Sequence, residues 1–133
     1  AYGLAGEIVI ADNGSTDGSQ ALAASRGARV VEVHPELAFW AMNGEMPLPL
    51  PKKVKSRPHA PGLELRTVLL AQAGFPLASL PRQGYRVADV GADDLIDACA
   101  CAWSARRIAE GRAVSFPADP PRDARGLRMA ITA

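Results

Sequence analysis

The sequence predicts an α/β fold: a β-α-β unit with parallel strands, and further helices packed on a small sheet. An apolar run at Glu7–Ala11 passes through a loop of small polar residues into a helical pattern, and a second apolar run follows at Arg29–Val33. This alternation is typical of parallel strands joined by a right-handed crossover. Two later stretches, Leu63–Ala73 and Asp93–Glu110, have apolar residues at helical spacing.

The composition indicates a globular protein. Of its 133 residues, 48% are hydrophobic and 22% charged, and the net charge of +1 argues neither for nor against a nucleic-acid partner. No apolar run approaches the roughly 20 residues that cross a bilayer, so we expect no membrane partner. The first residues show no signal peptide and no Met, which is consistent with a fragment or a processed product.

The cysteines predict a reducing compartment. Cys99 and Cys101 lie two apart on a predicted helix. At that spacing their side chains point about 200° apart around the axis and do not easily bridge. We therefore expect a cytoplasmic location.

The first three elements follow from local signals. Glu7–Ala11 is predicted to be a short buried strand. Ser15 or Thr16 is predicted to cap the next helix, and Gly27 suits the position after its end. Arg29–Val33 is the second strand of the unit.

The middle of the chain is predicted to hold a short helix and a basic loop. Leu37–Met42 has the helical pattern, and Asn43-Gly44 ends it. Five prolines between residues 47 and 61 exclude regular structure there. Four cationic residues are interleaved with them, namely Lys52, Lys53, Lys55 and Arg57. They are candidates for phosphate contacts, and the alternative is a solvated loop.

Two longer helices are predicted in the second half. The apolar side of the first is assigned to Leu65, Val68, Leu69 and Ala73. The second helix has Asp93 as its candidate cap and Gly111 at its end. Residues 76–91 are predicted to form a loop, and residues 127–131 a terminal edge strand.

The loop ADNGSTDGS, residues 11–19, is a candidate binding site. Gly14 and Gly18 let the backbone approach a ligand, and the following helix offers free N–H groups. Asp12 would lie at the carboxyl end of a parallel strand, where ligands bind in open α/β sheets and a carboxylate can hold a ribose hydroxyl. The alternative is a capped turn without a ligand. The candidate binding residues are Asp12, Asn13, Ser15 and Asp17.

Residues 1–33 resemble a known family through the motif EIVIADNGSTDGS, residues 7–19, and the continuation GARVV, residues 27–31. The motif is similar to the second strand and following helix of family 2 glycosyltransferases. This resemblance implies a nucleotide-sugar ligand whose nucleotide part contacts Asp12. The first strand of that family and its later Asp-x-Asp, which holds metal and diphosphate, are not found in this sequence, so we expect little grip on the phosphates.

Residues 29–133 resemble a second family. The matching segments are VEVHPELAFWAMNG (31–44), PKK (51–53), ADDLIDA (92–98), AWSARRIA (102–109) and PADPPRDARGLRM (117–129). They are similar to the domain of unknown function 429, which is regarded as a predicted nuclease with a ribonuclease-H-like fold. The resemblance implies a ribonuclease-H-like remnant and metal-dependent phosphodiester hydrolysis.

Three acids are predicted to be the catalytic metal ligands: Glu32, Asp94 and Asp97. Ribonuclease-H-like sites gather carboxylates around divalent ions, and Mg²⁺ or Mn²⁺ suits such oxygen ligands. Glu32 interrupts an apolar strand, where an unpaired carboxylate is costly, and Asp94 and Asp97 share one helical face. We expect the three to converge on one patch. The alternatives are an exposed strand end for Glu32, a cap for Asp94 and a solvated first-turn acid for Asp97.

The two resemblances meet inside Arg29–Val33, which predicts a chimera or fragment that folds as one compact domain. Three functions stay open. The first is a ribonuclease-H-like nuclease acting on nucleic acid, incomplete because the family's first catalytic strand is missing, with weak or absent hydrolysis. The second is a nucleotide-sugar-binding fragment of a family 2 glycosyltransferase. The third is a non-catalytic α/β domain that dimerises through an open sheet edge.

Overall fold

The computed structural model describes residues 6–77, 90–124 and 128–133. The chain divides into two compact units. The first contains the residues up to His34 together with those from Ser104 onward, and the second contains Pro35–Trp103. In the described ranges, no helix is long and apolar enough to span a bilayer.

The first unit contains the predicted β-α-β motif. Strand β1 (Val9–Asp12) pairs in parallel with β2 (Arg29–Glu32), and helix α1 (Ser19–Ser25) connects them. Gly27 follows the end of α1 with a φ of 84°, a conformation that suits glycine. The α/β fold class and the parallel pairing are therefore confirmed.

Two details of this motif differ from the prediction. The N-cap of α1 is Gly18, not Ser15 or Thr16, and it has no side chain that could cap the helix. The start is delayed because an upstream carboxylate binds the N–H group of Ser15 and keeps the loop out of the helix. Strand β1 is also not buried, since Ile8, just before it, is 62% exposed and Ile10 is 37% exposed.

A second strand pair completes the first unit. Strands β5 (Ser115–Phe116) and β6 (Ile131–Thr132) are antiparallel, and a parallel bridge joins Val33 to Thr132. The terminal strand thus lies slightly later than the predicted residues 127–131, of which Leu127 falls outside the described part of the chain.

The second unit is built on three helices, α2 (Pro35–Met42), α3 (Ala60–Gln72) and the first part of α4 (Ala92–Ala109). Each helix end lies within three residues of its predicted position. Of the predicted loop at residues 76–91, residues 78–89 lie outside the described ranges.

The basic segment contains one regular element that the prediction excluded. Strands β3 (Lys53–Val54) and β4 (Arg57–Pro58) form a short antiparallel hairpin. Proline is tolerated there because Pro58 lies on an edge strand, where no ladder hydrogen bond is lost.

The core of the second unit is formed by side chains from all three helices. It contains Ala38, Phe39, Leu70, Ile96, Cys99, Ala100 and Trp103. The predicted apolar side of α3 is partly wrong, because Val68 is 48% exposed whereas Leu70 is fully buried. The buried side also includes Arg66, which is 2% exposed. Because Arg66 is charged, apolar periodicity does not assign it to the buried side.

Candidate acid–lysine site at the start of helix α4

Helix α4 begins with one side-chain capping hydrogen bond and the first main-chain hydrogen bond of the helix. The N–H group of Gly91 donates to Asp94 Oδ2 at 2.9 Å, and the N–H group of Leu95 donates to Gly91 O at 3.3 Å. Asp94 lies at the third helical position and therefore acts as the acidic member of a capping box. Asp93, the predicted cap, lies at the second helical position and has a different partner.

Two lysines of the proline-rich segment bind acids of this helix. Lys52 Nζ lies 2.5 Å from Asp97 Oδ2, and Lys53 Nζ lies 2.6 Å from Asp93 Oδ2. The two acids are four residues apart, so they share one face of α4. We call Lys52, Lys53, Asp93, Asp94 and Asp97 the acid–lysine site.

The charges of this site alter each other's protonation. The hydrogen bond from Lys53 holds the pKa of Asp93 below its ordinary value of 3.8, although partial burial opposes this shift. The same hydrogen bond and the negative charge of Asp93 raise the pKa of Lys53, and the charges of Asp94 and Asp97 add to the effect. At neutral pH both members of this pair are charged.

The segment that carries the lysines is held by the start of α3. Arg66 Nη1 donates to Leu50 O at 3.0 Å, His59 Nδ1 lies 3.0 Å from Pro51 O, and the N–H of His59 donates to Lys52 O at 2.9 Å. A Cβ atom at Gly62 would lie 1.9 Å from Pro51 O. Glycine at this position therefore allows the close approach that points the lysines at α4.

Arg66 is a buried cation with a complete set of partners. Its Nε and Nη2 atoms bind the two carboxylate oxygens of Glu36 at 2.9 and 2.5 Å, and Nη1 also donates to Gly62 O at 2.8 Å. Its guanidinium lies 5.5 Å from the centre of the Phe39 ring. Such a bidentate pair tolerates burial because every donor group has an acceptor. Arg66 thus ties α2, α3 and the lysine segment together.

Only one of the two carboxylate oxygens of Asp97 has a hydrogen-bond partner among the described residues. Its Oδ2 atom binds Lys52, whereas its Oδ1 atom is buried and has no hydrogen-bond partner among the described atoms. A buried carboxylate oxygen normally has a partner, and a hard cation such as Mg²⁺ prefers this donor type. The donor chemistry at this atom therefore fits a divalent cation. Among the described residues, no group of three or more His, Cys, Asp or Glu side chains is arranged around a metal position.

The Asp12 loop is closed by its own hydrogen bonds. Asp12 is 8% exposed, and its Oδ2 atom accepts from the N–H groups of Gly14 and Ser15 and from Gln20 Nε2, at 2.9, 3.0 and 2.5 Å. Burial raises the pKa of Asp12, but hydrogen bonds from the side chain and the N–H group of Ser15, from Gln20 and from Gly14 outweigh burial and lower the pKa overall. The hydrogen bonds of Asp12 Oδ2 are thus consistent with the alternative, in which the loop is a strand-to-helix turn.

The other residues predicted to bind a ligand in this loop are exposed. Asn13 and Ser15 lie in the turn. Asp17 Oδ1 accepts from the N–H group of Ser19 at 3.0 Å, and the hydrogen bonds from Ser19 lower the pKa of Asp17. The hydrogen bond between Ser19 and Asp17 therefore defines the end of the loop where α1 begins.

Glu32 is exposed at the end of β2 in the first unit. It lines an open groove of about 470 Å³ together with Phe116, Asp123, Arg128, Met129, Ala130 and Ile131. Asp94 and Asp97 belong to the second unit. The convergence of Glu32 with these two acids stays a prediction from the sequence.

Comparison with known proteins identifies the family. The family described as "Protein of unknown function (DUF429)" matches residues 12–122. The chain belongs to DUF429. No curated protein and no solved structure matches it. The match begins at the Asp12 loop and includes the acid–lysine site, so both candidate sites are DUF429 sequence.

Sequence reasoning found the acids of this DUF429 site but not their partners. Asp94 and Asp97 were singled out by their helical spacing, and the lysines by the phosphate affinity of a basic segment. The pairing of Lys52 with Asp97 joins residues 45 positions apart, which no local pattern encodes. Arg66 was missed because its helix face was assigned by apolar periodicity alone.

Proposed function

We propose that this DUF429 chain is a ribonuclease-H-like domain with weak metal-dependent phosphodiester hydrolysis, and that its acid–lysine site holds Mg²⁺ or Mn²⁺. One observation carries the proposal. Asp97 Oδ1 is a buried carboxylate oxygen without a hydrogen-bond partner among the described residues. The resemblance of ADDLIDA, residues 92–98, and PKK, residues 51–53, to a predicted nuclease family supports the same reading.

The residues of the site have separate roles. Asp97 would hold the ion through Oδ1, and the ion, when bound, supplies water activation and stabilisation of the leaving oxygen. Asp94 fixes the start of α4, because its carboxylate accepts the N–H group of Gly91. Lys53 is half-exposed beside Asp93 and contributes positive charge toward an incoming phosphate.

The activity is expected to be weak for an electrostatic reason. Lys52 already neutralises Asp97, so a divalent ion must bind beside an ammonium group or displace it. Glu32 stays the third candidate ligand from the sequence, and it is tested separately by Glu32→Gln.

The experiment measures metal binding and hydrolysis together. Mg²⁺ or Mn²⁺ is titrated calorimetrically into the protein, and release of nitrophenolate from bis(4-nitrophenyl) phosphate is followed with each metal. We expect Asp97→Asn to lose both, while Asp119→Asn, which removes an exposed acid, retains both. Metal binding unchanged by Asp97→Asn would refute the proposal, and a folded protein with no metal binding would leave the non-catalytic α/β domain as the function.

A further inference from the structure

The β3–β4 hairpin has a strained tip. Its two turn residues, Lys55 and Ser56, have φ angles of 47° and 62°. Two-residue hairpin turns of this kind favour Asn-Gly, because side chains disfavour positive φ. A lysine and a serine at these positions each cost roughly 1–3 kcal/mol where nothing holds them, and such strain collects at functional positions.

The hairpin is also a concentrated positive charge. Between residues 46 and 63 the sequence has four lysines and arginines and no acid. The inner two, Lys52 and Lys53, bind acids of α4. The outer two, Lys55 and Arg57, are exposed and form no ion pair with any residue that the structure describes. Two cations are thus free at the tip while two fix the base.

The base of the hairpin is rigidly mounted. His59 donates to Lys52 O, and the ion pairs of Lys52 and Lys53 fix the same residues from the side of α4. Lys55 is two residues beyond Lys53, so their Cα atoms lie within about 7 Å of each other. The backbone of the hairpin therefore holds Lys55 and Arg57 near the acid–lysine site, and binding of a ligand needs ordering of their side chains but no rearrangement of the main chain.

We propose that this hairpin binds the phosphate backbone of a polynucleotide, with Lys55 and Arg57 as the two contacts. A guanidinium binds phosphate oxygens in a bidentate manner, and an ammonium binds as a point charge, so each of the two residues can bind one phosphate. This inference rests on the proposed function for its purpose, since it supplies the substrate class of the acid–lysine site. The binding step itself needs no metal.

The test measures oligonucleotide binding in the presence of EDTA. Fluorescence anisotropy of a labelled single-stranded oligonucleotide is recorded between about 50 and 200 mM salt. Each phosphate contact contributes about 0.7 to the slope of log K against log salt for a single strand. We expect Lys55→Ala/Arg57→Ala to lower the slope by about 1.4 and to weaken binding at low salt.

A matched double variant removes the same charge elsewhere. Arg26→Ala/Arg29→Ala changes two exposed arginines of the first unit and is expected to leave the slope unchanged. Equal weakening by both double variants would overturn the proposal, as would an unchanged slope in the hairpin variant. Equal competition by polyglutamate would assign the hairpin to acidic proteins and overturn it as well. Circular dichroism verifies that each variant is folded.

These experiments can contradict the hairpin proposal and the metal-site proposal independently. Asp97→Asn is expected to bind the oligonucleotide at least as tightly as the unchanged protein, because it removes a negative charge. Binding that depends on Lys55 and Arg57 without any hydrolysis would refute the proposed function and support the hairpin proposal. Hydrolysis of the small diester without oligonucleotide binding would do the reverse.

Discussion

Lys52 Nζ lies 2.5 Å from Asp97 Oδ2, and each of the two side chains is 23% exposed. A divalent ion at the proposed site would therefore compete with the ammonium group for the same carboxylate. On that proposal, Lys52 lowers the affinity of Asp97 for the ion.

Replacing Lys52 by Met should tighten metal binding. Removal of the ammonium leaves Asp97 uncompensated, so we expect the affinity for Mg²⁺ to rise about tenfold, equivalent to about 1.4 kcal/mol. Calorimetric titration measures this change. Lys55→Met, which removes an exposed cation without an ion pair among the described residues, serves as control and should leave the affinity nearly unchanged. A weaker affinity in Lys52→Met would mean that the lysine supports the ion.

The Lys53–Asp93 pair predicts a defined pH dependence of stability. The folded-state pKa of Asp93 lies below its ordinary 3.8, so the contribution of this carboxylate is present above pH 3.8 and is lost as pH falls through the lower value. The pKa of Lys53 is raised above 10.5, so its contribution is present below that pH and is lost as pH rises further.

Urea unfolding as a function of pH tests this pair. We expect Asp93→Asn to reduce the fall in the free energy of unfolding below pH 3.8, and Asp119→Asn to leave the fall unchanged. If the free energy of unfolding falls equally below pH 3.8 in Asp93→Asn and in the unchanged protein, the pair does not contribute to this pH dependence.

Gly62→Ala should destabilise the protein although it lies in a helix. Helix propensity alone predicts a gain of about 1 kcal/mol for this change. The added Cβ would lie 1.9 Å from Pro51 O, a backbone atom, so we expect a loss of about 1–3 kcal/mol instead. Chemical denaturation gives the sign. Gly6→Ala, whose Cβ would meet nothing within 4 Å, should have an effect near zero.

Asp12→Ala should destabilise the first unit, and the size of this loss should not depend on whether a ligand is present. The change removes the acceptor of three hydrogen bonds in a nearly buried position, and we expect a loss of about 1–3 kcal/mol. Thermal unfolding with and without uridine diphosphate distinguishes the roles of the loop. Protection of the unchanged protein that disappears in Asp12→Ala would instead favour the nucleotide-sugar alternative.

Truncation of Leu70 should cost much more stability than truncation of Val68. Leu70 is fully buried in the helical core, so Leu70→Ala should cost about 2–5 kcal/mol. Val68 is 48% exposed, and Val68→Ala should change the free energy of unfolding by less than about 0.5 kcal/mol. A large loss in Val68→Ala would restore the face predicted from apolar spacing.

Local sequence patterns predicted the helices and strands better than they predicted the side-chain contacts around them. The β-α-β unit and the bounds of α4 followed from periodicity and glycine positions, because these signals act over a few residues. The N-cap at Gly18 was not predicted from the sequence. It follows from the hydrogen bonds between Asp12 and the loop, and such side-chain contacts leave no periodic pattern. The lysine partners of the α4 acids were missed for a related reason, since they lie in the proline-rich segment, which is distant from α4 in the sequence.

The bridge between Val33 and Thr132 also has a consequence for biosynthesis. Strands β1 and β2 lie close in sequence and pair with each other, but Val33 pairs with a residue 99 positions further along the chain. Pro35–Trp103 is continuous in sequence between these two residues. A product of translation that stops between Trp103 and Thr132 would therefore contain every residue of the helical unit and the β1–β2 pair, but it would lack the partner of Val33.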